Sequence, residues 1–211
     1  MNIVQNKERF IDLAKKFITD REGVDKLLNW LSNSDFFVCP ASTQYNLPVE
    51  GGLCQHALNV LEAIVQDYFG KSVDELNDSD MSITFEDDLN ISSIALVALF
   101  SSIYKANCYV KDFKNVKVNG KWEQVEYWKW DEKFLYSGRG GKSVFILQQY
   151  MRLFVEEAQA IAFFLGGEDN PFSGVIDTTY KKIFEGSRLA LSLHLAELRS
   201  TYLLDNNCLD T

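Results

Sequence analysis

Residues 94–109 read IALVALFSSIYKANCY, and this stretch decides the fold. Residues 94–100 are apolar on every side of a helix, which is typical of a helix that runs through the middle of a domain. Two small polar residues, Ser101 and Ser102, follow directly, and Lys105 comes shortly after them. The sequence therefore predicts a central buried helix whose end carries hydroxyl groups and a cation.

Apolar residues recur at helical spacing over most of the remaining chain, as amphipathic helices require. The acidic segment 73–90 lacks this spacing and is predicted as a solvated loop. With the central stretch included, the predicted helices cover residues 7–19, 23–31, 53–69, 91–104, 143–154, 155–165 and 184–204.

Residues 112–130 depart from helical spacing and alternate around Asn119-Gly120, a strong signal for a hairpin with a type I′ turn. The predicted fold class is therefore all-α, with a small β-hairpin insertion at about residues 112–130. The tryptophans of this hairpin either cover the domain or form a surface for a partner, and they are Trp122, Trp128 and Trp130.

Composition and charge narrow the class of protein. The 211 residues carry a formal net charge of −9, which argues against general affinity for nucleic-acid backbones or anionic membranes. The first residues contain neither a secretory apolar core nor an apolar run long enough to cross a membrane, so we expect a cytoplasmic protein. The four cysteines include no CxxC pair, which argues against zinc and against a disulfide scaffold.

Three segments together resemble the HD-domain metal phosphohydrolases, and in particular the small bacterial and phage proteins of that family. They are EGGLCQHALNV (50–60), the central stretch (94–109) and LALSLHLAELRSTYLL (189–204). The upstream segments DFF and PAST, followed by Tyr45, agree as well. The resemblance implies an HD-domain-like helical bundle over residues 34–211, on which N-terminal helices within residues 1–33 pack.

In that family, His and Asp side chains from separate helices hold divalent metal ions that activate water. The resemblance places the first of these ligands at His56 and the closing carboxylate at Glu197. Other residues occupy the remaining ligand positions, namely Ser101 and Ser102 in place of a His-Asp pair, and Arg139 and Phe164 in place of histidines. We therefore expect a catalytically inactive member that holds no metal and no other cofactor.

Arginine and serine at these positions offer hydrogen-bond donors to phosphate oxygens, and a helix start after residues 138–142 adds backbone N–H groups. The expected partner is a small phosphorylated molecule, with a nucleotide first among the candidates. In a phage-type member, binding would sequester a nucleotide signal of host immunity. The sequence is also compatible with a homo-oligomer. The residues predicted to line the ligand site are Tyr45, His56, Ser101, Ser102, Lys105, Arg139, Lys142, Ser143, Phe164 and Glu197.

Other interpretations stay open at this level. His56 and Glu197 could support residual phosphohydrolase activity with a metal that the substrate carries. Alternatively, the pocket is vestigial and the aromatic hairpin binds a macromolecule. Ser101, Ser102 and Phe164 also suit plain packing, and Arg139 suits a solvated surface. The GGKS segment is not a complete P-loop, because residue 136 is tyrosine where that motif requires glycine.

Overall fold

The computed structural model describes residues 2–86, 89–133, 138–169 and 179–207. Within them the chain is mostly helical and carries a two-stranded antiparallel hairpin, which confirms the predicted mixture of elements. The helices and strands are α1 (Ile3–Phe17), α2 (Val24–Ser32), α3 (Gly52–Phe69), α4 (Asp78–Met81), α5 (Ile91–Phe100), β1 (Tyr109–Val118), β2 (Lys121–Trp130), α6 (Arg139–Leu147), α7 (Val155–Ala162), α8 (Thr179–Gly186), α9 (Arg188–Arg199) and α10 (Asp205–Asn207).

Helix α5 forms the centre of the core, and all ten of its residues are buried. Helices α1, α3, α7 and α9 pack around it. This arrangement confirms the central helix that residues 94–100 predict. Within the described ranges, no helix is both long and apolar enough to cross a membrane.

Helix α5 ends at Phe100, and the chain continues as a 3₁₀ turn over Ser101–Lys105. A side chain of α6 causes this change from α-helix to 3₁₀ turn. The Ser143 hydroxyl donates to the Ser101 carbonyl oxygen at 2.5 Å and accepts from the Tyr104 amide at 3.2 Å. These bonds satisfy backbone groups that an α-helical turn would otherwise pair. The prediction of one continuous helix over residues 91–104 is therefore wrong in its last turn.

Four phenylalanine rings join the N-terminal helix to the central one. Phe10 of α1 makes edge-to-face contacts with Phe36, Phe37 and Phe100, with centroid separations of 5.3, 5.5 and 5.6 Å. Each such contact adds about 1 kcal/mol beyond the burial of area. Residues of α1 and α2 thus belong to the same hydrophobic cluster as α5. The predicted division of the chain at residue 34 stays a prediction.

The hairpin has the predicted turn and is slightly longer than predicted. Asn119 and Gly120 both have positive φ, 48° and 85°, as a type I′ turn requires. Pairing begins at Tyr109 opposite Trp130, rather than at residue 112. These two rings meet edge to face at 5.1 Å, so the base of the hairpin is the part that packs on the domain.

The predicted helix 184–204 is interrupted twice. Ser187 separates α8 from α9, because its hydroxyl accepts from the Ala190 amide at 3.2 Å and caps α9. The chain then widens into a π-helical turn over Ser200–Leu204 before α10. A π turn rotates the residues that follow it relative to a regular helix, and such turns are frequent at functional sites.

Further boundaries also differ from the predictions. The helix predicted over residues 143–154 lies at Arg139–Leu147, and the one predicted over 155–165 ends at Ala162. Within the acidic segment 73–90, the short helix α4 forms because the Asn77 side chain accepts from two amides of its first turn.

Candidate functional site

A fully buried histidine lies between two carboxylates at the centre of the candidate site. His56 Nδ1 is 2.8 Å from Asp205 Oδ2, and His56 Nε2 is 3.1 Å from each carboxylate oxygen of Glu197. Helix α3 supplies the imidazole, α9 supplies Glu197, and Asp205 follows the π turn. Two of the predicted residues, His56 and Glu197, are thus in direct contact.

The prediction from sequence missed Asp205, which is completely buried. Its oxygens also accept from the side-chain amides of Asn59 at 2.7 Å and Asn46 at 3.2 Å. Asn59 lies three residues after His56 on the same helix face, and that spacing is a signal the sequence offers. Asp205 lies just beyond the predicted helix 184–204, and nothing in the sequence pattern points to it.

The electrostatics of these groups favour a charged imidazole. Burial alone would lower the pKa of His56, but Glu197 and Asp205 outweigh burial and raise this pKa to about 9. Burial would raise the pKa of both carboxyl groups, yet the contact with His56 holds each pKa below its usual value. His56 is therefore an imidazolium that donates to a carboxylate from both ring nitrogens.

Two further cations border this arrangement. Lys105 Nζ donates to the Ala41 carbonyl oxygen at 2.7 Å. Burial lowers the pKa of Lys105, the carboxylate of Glu197 opposes that shift, and the positive charge of Arg139 adds to it. Arg139 is thus close enough to act electrostatically on Lys105, while its own side chain is exposed. We call His56, Lys105, Glu197 and Asp205 the His56 cluster. Its two positive and two negative charges cancel.

The serines that follow α5 differ in their bonding. The Ser101 hydroxyl donates to the Ala98 carbonyl oxygen at 3.5 Å, as a packing serine does. Ser143 bridges α6 to the 3₁₀ turn, as described above. The Ser102 hydroxyl is buried, and no hydrogen-bond partner for it exists among the described residues. An unsatisfied buried hydroxyl costs about 1–3 kcal/mol of folding free energy. A ligand that forms a hydrogen bond with the Ser102 hydroxyl would remove that cost.

Lys142, another predicted site residue, contacts side chains that do not belong to the His56 cluster. Its Nζ is 2.6 Å from Glu132 Oε1 and 3.0 Å from the Cys108 sulfur. The sequence predicts that the GRGGKS segment (138–143) precedes a helix. In the structure this segment instead forms the first turn of α6, with Gly138 as the N-cap at a φ of 83°. Within that turn, the Lys142 amide donates to the Gly138 carbonyl oxygen at 3.2 Å.

Two other predicted residues, Phe164 and Tyr45, differ in their burial. Phe164 is completely buried in the hydrophobic core, with its ring 6.3 Å from that of Tyr104. Tyr45 is 81% exposed on the loop before α3. His194 is the second histidine of the chain, and its Nδ1 donates to the Phe164 carbonyl oxygen at 2.7 Å. It therefore has a structural role.

The residues present do not fit the metal centre that the resemblance implies. An imidazolium bonded at both nitrogens has no lone pair for a metal ion. Glu197 and Asp205 contact opposite sides of the ring, so the three side chains do not converge on one point. In the part of the chain that the structure describes, no group of three His, Cys, Asp or Glu residues is placed to hold a metal ion.

Three surface cavities lie away from the His56 cluster. They open beside residues 148–153, between residues 20–26 and 150–154, and along α1 next to residues 32–38. These three cavities contain none of the predicted site residues. Ligand binding at the cluster stays a prediction that rests on the chemistry of its side chains.

Comparisons of the chain with protein-family models, with curated proteins and with solved structures each find no match.

Proposed function

We propose that this protein is a catalytically inactive HD-type domain that binds a small phosphorylated ligand, with a nucleotide as the first candidate. The observation that carries the proposal is the double carboxylate bonding of His56. An imidazolium takes the place of a metal ion between Glu197 and Asp205. The carboxylates are thereby neutralised without any metal, and the chemistry that a metal would supply is lost.

The groups beside the cluster suit an anion. Arg139 is close enough to Lys105 of the cluster to act on its pKa, and Ser102, in the same 3₁₀ turn as Lys105, contributes the buried hydroxyl that has no partner among the described residues. Arginine recognises phosphate through a planar fork of donors. The first turn of α6 adds backbone N–H groups beside Arg139. A phosphorylated ligand would accept hydrogen bonds from these donors, and sequestration rather than turnover would follow.

Isothermal titration calorimetry against mono-, di- and cyclic nucleotides and ADP-ribose tests this proposal. We expect at least one compound to bind with micromolar or tighter affinity and to be recovered chemically unchanged. Replacement Arg139→Ala should weaken that binding at least about tenfold, because a charge-assisted hydrogen bond is lost. Arg152→Ala is the matched control, since Arg152 is an exposed arginine beside the cavities away from the cluster, and it should bind as the wild type does.

Absence of heat with every phosphorylated compound would count against ligand binding. Elemental analysis tests the loss of catalysis separately. A stoichiometric transition metal in the purified protein, together with turnover that Glu197→Gln abolishes, would instead establish a phosphohydrolase that uses His56 and Glu197.

A second candidate function has support from the hairpin. Phe113 and Trp122 lie on the same face of it and are 57% and 72% exposed. Exposed aromatic residues at such a density are typical of interaction surfaces. If the hairpin binds a macromolecule, the double variant Phe113→Ser/Trp122→Ser should lose co-purifying partners while it keeps nucleotide binding. Sedimentation velocity on the wild type and on this double variant tests whether the partner is a second copy of the chain.

A further inference from the structure

A lysine, a cysteine and a glutamate meet where the hairpin joins the domain. Lys142 Nζ lies 3.0 Å from Cys108 Sγ and 2.6 Å from Glu132 Oε1. The Asp131 amide donates to the Cys108 carbonyl oxygen at 2.8 Å, and this bond holds the end of β2 beside the start of β1. The three side chains therefore come from the two hairpin ends and from α6.

The distance between Lys142 Nζ and Cys108 Sγ falls in the range found for reacting atoms. Reacting atoms in productive enzyme complexes are about 3–3.5 Å apart, and no solvent molecule fits between atoms at such a separation. The cysteine and the lysine are both buried, whereas the Glu132 side chain is 23% exposed. Small solutes therefore reach the pair from the side of Glu132.

We propose that Cys108 and Lys142 form an oxidative modification site, at which hydrogen peroxide joins Sγ to Nζ in a covalent sulfenamide. In the first step the thiolate attacks peroxide, which oxidises Cys108 to a sulfenic acid and reduces the peroxide to water. In the second step the Lys142 amine attacks the sulfenic sulfur. The S–N bond forms as the S–O bond breaks, and the oxygen leaves as a second water molecule.

Glu132 supplies the proton transfers that the second step requires. Its carboxylate accepts a proton from the Lys142 ammonium and so frees the lone pair of the amine. The same proton then passes to the departing oxygen, and the Glu132 carboxylate finally takes up the remaining proton that the nitrogen loses as the neutral sulfenamide forms. In total, one thiol, one amine and one hydrogen peroxide give one sulfenamide and two waters. Burial raises the pKa of the Cys108 thiol, against the hydrogen bond from Lys142, so the reaction is faster at alkaline pH.

Peptide mapping by mass spectrometry after peroxide treatment tests the proposal. Trypsin cleaves after Lys105, Lys111, Arg139 and Arg152, but it does not cleave after a lysine whose amine is modified. We expect residues 106–111 to be joined to residues 140–152, with two hydrogen atoms fewer than the sum of the peptides. Treatment with a thiol reductant should restore cleavage after Lys142.

Variants separate the individual roles. Cys108→Ser should abolish the cross-link, and Cys208→Ser, the matched control, should leave it unchanged. Lys142→Arg should stop the reaction at the sulfenic acid, which dimedone traps at Cys108. Glu132→Gln should slow cross-linking about a hundredfold, as loss of a positioned base does. The proposal is overturned if wild-type Cys108 gains oxygen atoms while residues 106–111 and 140–152 stay separate, or if peroxide leaves Cys108 unmodified at alkaline pH.

Discussion

At the scale of single residues, His56 shows how a buried charge is kept in the core. Removing an ion from water costs several kcal/mol, and here both sides of the imidazolium face a carboxylate at hydrogen-bond distance. Because the partners come from α9 and from the residue after the π turn, this one ring ties α3 to the last elements of the described chain. Loss of the ring leaves two buried carboxylates without their cation.

This arrangement predicts that stability falls as the pH rises through the range of the His56 pKa. A group whose pKa is higher in the folded state contributes stability that is full below the pKa of the unfolded chain, about 6.5. That contribution is lost as the pH approaches the folded pKa of about 9, with a total loss of roughly 3 kcal/mol. Denaturant unfolding of the wild type at several pH values between these limits measures the decline.

Two histidine variants serve as reference and control for this measurement. His56→Gln should be less stable than the wild type at neutral pH and should not show the decline. His194→Gln should retain it, because His194 bonds a backbone carbonyl rather than a carboxylate. An equal decline in both variants would mean that a group other than His56 controls the pH dependence. Lys105 is not such a group, because its lowered pKa makes stability rise with pH.

At the scale of elements, the contact between α6 and α7 depends on a single glycine. A Cβ atom at Gly140 would lie 2.4 Å from the carbonyl oxygens of Ile161 and Ala162, which are backbone atoms of α7. A Cβ at the adjacent Gly141 would meet nothing within 4 Å. The two glycines of the GGKS segment thus have different roles, and one of them sets how closely α6 packs.

We predict that Gly140→Ala destabilises the fold by about 2 kcal/mol, since the added methyl group forces α6 and α7 apart. Gly141→Ala is the matched control and should be neutral, or more stable by up to about 1 kcal/mol, because alanine favours helix. Thermal and urea unfolding of the two variants measure these changes in stability. Equal effects of the two substitutions would contradict the close approach.

The core position of α5 could be predicted because its apolar residues leave no face for solvent. Its end could not be predicted, since the bonds that end it come from Ser143, about forty residues away along the chain. His56 and Glu197 were found through a resemblance, whereas Asp205 depends on a π turn that has no sequence signal.

At the scale of the whole molecule, the hairpin divides into a packed base and a solvated outer part. Tyr109, Trp128 and Trp130 form aromatic contacts at the base, and most residues between Phe113 and Glu126 are exposed. A two-stranded hairpin is only marginally stable when nothing packs on it. The base therefore contributes to the stability of the domain, and the outer part contributes little.

We predict that residues 113–126 can be replaced by Asn-Gly with a change of less than about 0.5 kcal/mol in unfolding free energy, as for surface substitutions generally. The new turn would join Asp112 to Tyr127, which are already paired in the hairpin. In contrast, Trp130→Ala should cost about 2 kcal/mol, because its ring packs on Tyr104 and Tyr109. Calorimetric unfolding of both proteins measures the two effects, and a large loss on shortening would show that the outer part is structural.

The long separation between His56 and its carboxylates has a consequence during protein synthesis. Glu197 follows His56 by 141 residues and Asp205 follows it by 149, so a ribosome completes His56 roughly seven to thirty seconds before its partners. An imidazole that is exposed to water is largely neutral at about pH 7. Closure of the His56 ring between the two acids takes up a proton, so this step of folding is coupled to the acidity of its surroundings.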